Sequence, residues 1–279
     1  MNFLRKYETI LIWSVPIVVT SIFVWILGDI IYHGWRSMNW QFLTTAPINS
    51  GREGGIAPIL VSTFGILAVC LTFAIPLGIG TAIFLTEFTS LESNLGRLIH
   101  LSLDILAGVP SIVFGLFGNA FFAKTLGLGF SLLSGGLTLA CMVLPLLIRA
   151  SEAGLRNVKQ EYRYSAAVLG ISRTSTLYHV IMPAAMPGLL AGLVLSLGRA
   201  IAETAALIFT SGYVDRMPSS LLDSGRSLSI HIFDLAMNIS GGDHNAYGSA
   251  LVLVILLLVI NLSASLIAKY HRLSKSYKI

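Results

Sequence analysis

Charge is scarce in this chain: only 11% of its 279 residues are Asp, Glu, Lys or Arg, while 55% are hydrophobic. A soluble domain carries about 25% charged residues, so the balance argues against a water-soluble protein. The excess of eighteen Lys and Arg over thirteen Asp and Glu is +5, too small and too dispersed for a nucleic-acid surface. Cysteine is nearly absent, and Cys70 and Cys141 both sit in apolar runs. Two such residues make neither a disulfide framework nor a zinc site and read as small hydrophobes. The six histidines, at 33, 100, 179, 231, 244 and 271, show no metal-ligand spacing, so no metal is expected. No Gly-x-x-x-x-Gly-Lys-[Ser/Thr] run occurs, so the chain offers no phosphate cradle for ATP. The first apolar run, from Thr9 to about Tyr32, is longer than a signal h-region and no small-x-small cleavage site follows it, which points to a retained first span.

What is present is a series of apolar stretches near 9–32, 58–86, 101–122, 130–150, 187–210 and 246–268. Each is about the length a bilayer crossing needs. The expected fold is therefore all-α and integral to a membrane, with six transmembrane helices in one domain over 9–268 and both termini on one side. Twelve of the eighteen Lys and Arg fall on the side of the termini, among them Arg5, Lys6, Arg149, Arg156, Lys159, Arg163, Arg173, Lys269, Arg272, Lys275 and Lys278. The positive-inside rule makes that side cytoplasmic, so residues 1–8 and the basic tail 269–279 are expected in the cytoplasm.

The third stretch is interrupted by Asp104 and by Gly108-Val109-Pro110-Ser111. It reads either as a broken helix beside a wet pathway or as a proline kink held by neighbours. Pro76, Gly78 and Gly80 in the second stretch allow the same two readings, and small residues also permit close helix packing. Asp104 is a candidate partner for Arg149. Two connections are too long for simple turns. The cytoplasmic one, 151–186, is polar and basic with two helix-like pieces flanking Gly170, and Ser172 is a natural N-cap for the second piece. The external one, 211–245, carries an amphipathic stretch from Leu228 to Met237 and is expected to form a partly helical cap.

The residues that carry chemistry are Arg199 and Glu203, four apart near the middle of the fifth stretch. On one helix they would share a face about 6 Å apart. An intramembrane charge costs at least about 2.5–3.5 kcal/mol, so retaining two requires compensation or a task. They are either a mutually neutralising pair that pins packing or a solvated site for a charged solute, and we favour the site. A guanidinium fork matches two oxygens of phosphate or carboxylate. Hydrogen phosphate can donate to a carboxylate such as Glu203, whereas sulfate cannot, so the pair would select the protonated anion. Ser111, beside the third-span break, could bond an anion or its own backbone. In the cytoplasmic connection, Tyr164-Ser165-Ala166-Ala167-Val168-Leu169-Gly170 combines small residues with a glycine suited to a turn at positive φ. That piece is either a self-contained hairpin on the membrane surface or a docking element for a cytoplasmic partner.

The run from Tyr164 to Pro183 resembles the EAA loop of ABC importer permeases, with Ala166, Gly170 and Pro183 on the family's spacing, Tyr164 at the usual Glu and Ser165 at the first Ala. Gly198-Arg199-Ala200-Ile201-Ala202-Glu203-Thr204-Ala205 and Gly108-Val109-Pro110-Ser111-Ile112-Val113-Phe114-Gly115-Leu116-Phe117-Gly118 resemble segments of the phosphate-specific ABC permeases, and the outer loop and final span are closer to their PstA than to their PstC branch. The resemblance implies a type I ABC importer permease fold in a bacterial or archaeal cytoplasmic membrane, importing inorganic phosphate. It implies Arg199, Glu203 and Ser111 at the translocation path, and Tyr164, Ser165, Ala166, Gly170 and Pro183 at the contact with an ATPase. It also implies a PstC-like sister permease, two ATP-binding subunits that hold ATP with Mg, and an extracytoplasmic phosphate-binding protein. This chain itself would bind no cofactor and break no bond. A permease for another oxyanion or phosphonate, and an ion-gradient-driven transporter using Arg199 and Glu203 as a proton relay, are the rival readings.

Overall fold

The computed structural model describes residues 2–90 and 93–276, and the side chains of 12–90 and 93–268. Arg5, Lys6, Lys269, Arg272, Lys275 and Lys278, on which the inside count leans, have side chains outside the described residues. Among the described residues five helices are long and apolar enough to cross a membrane, and a bent pair taken together is long and apolar enough for a sixth span.

The first crossing is α1 (Asn2–Gly34). From Ile12 onward most of its apolar side chains are exposed. After the short α2 (Trp40–Thr44), capped by the Asn39 side chain, a two-residue antiparallel hairpin pairs β1 (Pro47–Ile48) with β2 (Glu53–Gly54). The second crossing, α3 (Ala57–Ile83), ends in a wider π turn over Phe84–Phe88. It continues through Pro76, so of the two readings left open there the unbroken one holds: Gly78 lies against Leu147, where an added Cβ would come within 2.7 Å of its Cδ2.

The third crossing is broken. Helix α4 (Asn94–Gly108) and helix α5 (Ser111–Gly118, continued by a π turn over Asn119–Thr125) meet at 99°. Val109 and Pro110 are both extended. The proline ring pushes its predecessor out of the helical region and supplies no N–H to continue the ladder.

The core is built on α6 (Leu132–Arg156). Its N-terminus is capped by Ser131, whose hydroxyl accepts from Ser134 N at 3.1 Å. One face packs on α3, and the buried cluster there includes Ile66, Cys70, Leu139, Val143 and Leu147. Cys70 thus serves as a small hydrophobe. The other face meets α9 (Met182–Ile201). A Cβ added to Gly188 would lie 2.6 Å from Gly154 Cα, so only the paired glycines allow this crossing. Close approach of backbones is the main source of helix association where lipid removes the hydrophobic drive.

The connection after α6 contains α7 (Gln160–Val168), a turn, and α8 (Arg173–Thr176). The helix–turn–helix is as expected, and Ser172 caps α8 by accepting from Ser175 N at 3.3 Å. The second piece differs from expectation. Through a π turn at Leu177–Ile181 it runs directly into α9, so one span extends from Arg173 to Ile201 and Pro183 lies inside it. The π turn directly before Pro183 accommodates the missing N–H, which is why the proline does not separate hairpin from span.

At the other end, α10 (Ala205–Ile208), the segment 209–227 and α11 (Leu228–Met237) form the cap, followed by the last crossing, α12 (Asp243–Ser276). The cap seals the start of α6: Leu132 N donates to Asp223 O and Leu133 N to Leu221 O, both at 2.9 Å. Leu228, Ile230, His231 and Leu235 of α11 are fully buried.

Candidate functional site

Arg199 and Glu203 do not share a helix face, contrary to the sequence reading. Helix α9 stops at Ile201: Ala202 N still reaches Gly198 O at 3.4 Å, and the next amide makes a tighter bond, with Glu203 N donating to Ala200 O at 3.3 Å. Glu203 therefore sits in a gap between helices. Its carboxylate accepts from Ala206 N at 3.2 Å, at the start of α10, and its carbonyl accepts from Ser229 Oγ of α11 at 2.6 Å. The first bond is local and the second tertiary, and together they satisfy backbone groups that the helix gives up at the break.

Arg199 lies in the last turn of α9, where its charge complements the helix dipole. Its side chain is exposed, and among the described residues no ion pair or hydrogen bond engages the guanidinium. The pair is thus not self-neutralising: the carboxylate is held by the backbone and the cation is free.

The two broken crossings pack together. Gly115 of α5 lies against α10, where an added Cβ would come within 2.8 Å of Ala206 Cα. Asn119 Nδ2 donates to Phe209 O at 2.7 Å. Val109, at the third-span break, joins the same apolar cluster as Ala200 and Ile201. Ser111 is half-buried at the first turn of α5. The fold therefore joins the third-span and fifth-span breaks through one packed region, an arrangement that sequence spacing alone does not reveal.

The hairpin forms the second constellation. Gly170 has φ +71 with no atom within 4 Å of a would-be Cβ. Gly170 N donates to Ala167 O and Ile171 N to Ala166 O, both at 3.0 Å, which closes α7 in a Schellman turn. Around it Tyr164, Val168, Leu169 and Tyr178 form an exposed apolar surface, with Val168 87% and Leu169 74% accessible. Ser165 is exposed as well, and Pro183 is half-buried. Ala166 departs from the expected contact set. It is 4% exposed and faces into the chain, so its small side chain governs how closely α7 sits on its own fold.

Charged groups near this end were only partly foreseen. Asp104 does pair with Arg149, joining α4 to α6. Arg149 also meets His100 Nδ1 at 2.7 Å, and Glu152 holds Arg156 at 2.9 Å. The sequence reading missed Glu87, whose carboxylate takes Arg163 Nη2 at 2.6 Å with both side chains under a fifth exposed. A lone acid at the end of an apolar run was the available signal.

Comparison with known proteins agrees with this architecture. Residues 74–274 match the family model of the binding-protein-dependent transport system inner membrane component. The chain is 30% identical over 262 residues to the probable ABC transporter permease protein YqgI of Bacillus subtilis, covering 88% of this chain and 89% of that one. It is 33% identical over 250 residues to the phosphate transport system permease protein PstA 1 of Mycobacterium tuberculosis strain CDC 1551 / Oshkosh, covering 88% and 82%. Among solved structures, a bacterial ABC transporter involved in import of the acidic polysaccharide alginate superposes with TM-score 0.62 at 14% identity over 92% of this chain and 96% of that one. The inward facing MetNI methionine ABC transporter gives TM-score 0.60 at 18% identity over 78% and 94%. A matched family model spanning most of the chain, with the same helical scaffold in solved importers, makes this chain a member of the binding-protein-dependent ABC importer permeases.

Proposed function

We propose that this permease passes inorganic phosphate inward across a bacterial or archaeal cytoplasmic membrane, with both termini and the hairpin in the cytoplasm and the cap outside. The observation that carries the reading is Arg199: an exposed guanidinium without a partner among the described residues, set at a helix break inside the spanning domain. A charge kept unpaired at that position is costly unless water or a solute meets it. Relatives whose names include phosphate transport support the choice of anion.

In this reading Arg199 offers its fork to two phosphate oxygens, and the free edge of the Glu203 carboxylate accepts the proton of hydrogen phosphate. Ser111, across the packed breaks, borders the route. Energy comes from ATP with Mg on two separate ATP-binding subunits, which grip the apolar hairpin surface around Tyr164, Val168 and Leu169, with Ser165 and Gly170 at its tip. A PstC-like sister permease completes the path, and an external phosphate-binding protein delivers the anion to the cap. No bond in phosphate is broken.

The test is uptake of labelled phosphate into proteoliposomes that hold the whole transporter. Losing a charged hydrogen bond costs about 1.5–3 kcal/mol, so Arg199→Ala should lower uptake by roughly 10- to 100-fold, with Arg199→Lys between the two. Glu203→Gln should narrow the preference for phosphate over sulfate. An unchanged phosphate-to-sulfate ratio in that variant would remove Glu203 from selection, and full uptake by Arg199→Ala would end the assignment.

A further inference from the structure

The end of α3, the end of α6 and the hairpin enclose a cavity of about 480 Å³ that the transport reading does not use. Its walls include Glu87, Arg156, Gln160, Arg163, Arg173 and Thr176. The roles of the three arginines differ. Arg163 is spent: its donors reach both oxygens of Glu87, the Val158 and Leu155 carbonyls and Gln160 Oε1, all within 3.4 Å. Arg156 turns Nε and Nη2 to Glu152, each at 2.9 Å, and among the described residues nothing meets its Nη1. Arg173 has no partner among them. The cavity is thus lined by Arg173, by Arg156 with one uncommitted guanidinium nitrogen and by Gln160, while Glu87, the acid in its wall, is already neutralised by Arg163.

We propose that this cavity is a binding site for a tetrahedral phosphate-type oxyanion, taken either from solution as the free ion or from the headgroup of an anionic lipid. Two arginines with unpaired guanidinium edges that line a space larger than one phosphate suit the planar, bidentate recognition that arginine provides. The site lies where three spans meet the hairpin, at the depth where anionic headgroups gather on the cytoplasmic leaflet if the orientation above holds. It differs in selectivity from the Arg199 site. With Glu87 held by Arg163, no free carboxylate opposes a bare dianion, so sulfate should bind as well as phosphate. An occupied site would tie α7 and α8 to the ends of α3 and α6 and stiffen the hairpin. The inference does not depend on which solute the transporter carries.

Hydrogen exchange of the purified whole transporter in nanodiscs tests it. In phosphatidylcholine discs, phosphate or sulfate at about ten times the dissociation constant should slow exchange of amides in 160–177 by about tenfold, and chloride should not. Arg199→Ala should keep this protection, whereas Arg173→Gln and Arg156→Gln should each lose most of it while the subunits still co-purify. If phosphatidylglycerol in the disc produces the protection and added phosphate adds nothing, the ligand is the lipid headgroup; the reverse pattern identifies the free ion. No protection by any of these anions, or full protection in both arginine variants, overturns the proposal. The proposal also falls if the only effect of Arg173→Glu is weaker attachment of the ATP-binding subunits with no anion response, since the cavity would then receive an acidic side chain of a partner.

Discussion

Gly170 shows how much a single residue determines here. Its φ of +71 lies in the left-handed region, and the turn it closes directs Val168 and Leu169 outward. A side chain at that φ costs about 1 kcal/mol, which a hairpin anchored by Arg163 can absorb, so replacement should leave the fold in place. Gly170→Asp adds a charge at the centre of an apolar surface, where desolvation without a partner opposes docking. Membrane levels should stay normal while uptake and transport-stimulated ATP hydrolysis both fall by tenfold or more, about 1.4 kcal/mol of lost docking. Coupled uptake at the normal rate would exclude the turn from the docking surface. Arg199 and Glu203 teach the complementary lesson. Their identity stood out in the sequence because charge is so rare there. Their relation did not, because a spacing of four implies a shared face only if the helix continues, and Ser229, 26 residues later, captures the carbonyl that ends it.

Two elements, the α6–α9 crossing and the cap, lend themselves to direct tests. At the crossing, Gly188 admits no Cβ without moving the backbone of Gly154. Gly188→Leu should force the helices apart at a cost of about 1–3 kcal/mol, read as a lower melting midpoint of the purified transporter. An unchanged midpoint would show that the crossing is looser than described. In the cap, His231 is fully buried beside the Arg226–Asp234 ion pair, and burial together with the Arg226 charge pushes its pKa down from 6.5 to about 4. The folded cap binds fewer protons than the unfolded chain between those values. Its stability is therefore complete above pH 6.5 and declines as pH falls toward 4, by ~3 kcal/mol in total. Melting midpoints measured from pH 7.5 to 4.5 should drop for the native chain and drop less for His231→Gln. Equal slopes would place the pH sensitivity elsewhere. The sequence marked α11 by its amphipathic period but could not tell that its apolar face enters the core, since that depends on distant residues: Leu228 packs with Phe42, Ile56, Ile59 and Val252, and its amide donates to Thr63 Oγ1 at 2.9 Å.

At the scale of the whole molecule, the exposed surfaces imply an incomplete machine. The exposed guanidinium of Arg199, unpartnered among the described residues, and the apolar hairpin tip are groups that a self-contained protein would cover. Gentle solubilisation should recover this chain with a nucleotide-binding subunit and a second permease, identified by mass spectrometry. Recovery as a lone chain that still drives phosphate uptake, collapsing with the proton gradient and indifferent to vanadate, would favour an ion-coupled mechanism.

Composition and periodicity by themselves determined that the chain is a six-span helical membrane protein, that its third span is interrupted at residues 108–111, and that a capped hairpin follows the fourth. These are local properties: apolar length sets a crossing, proline removes a donor, and Ser172 and Gly170 satisfy or turn the backbone within a few residues. Only the tertiary structure decided that the third span is broken rather than kinked, that Pro76 and Pro183 lie in continuous helices, that the fifth span ends at Ile201, that Glu203 is bound to the backbone while Arg199 has no partner among the described residues, and that Ala166 faces inward. Several of those outcomes depend on a partner far along the chain, Leu147 for Gly78 and Ser229 for Glu203 among them, and whether a helix ends or a charge stays unpaired depends on which neighbours the packing brings within reach of a hydrogen bond.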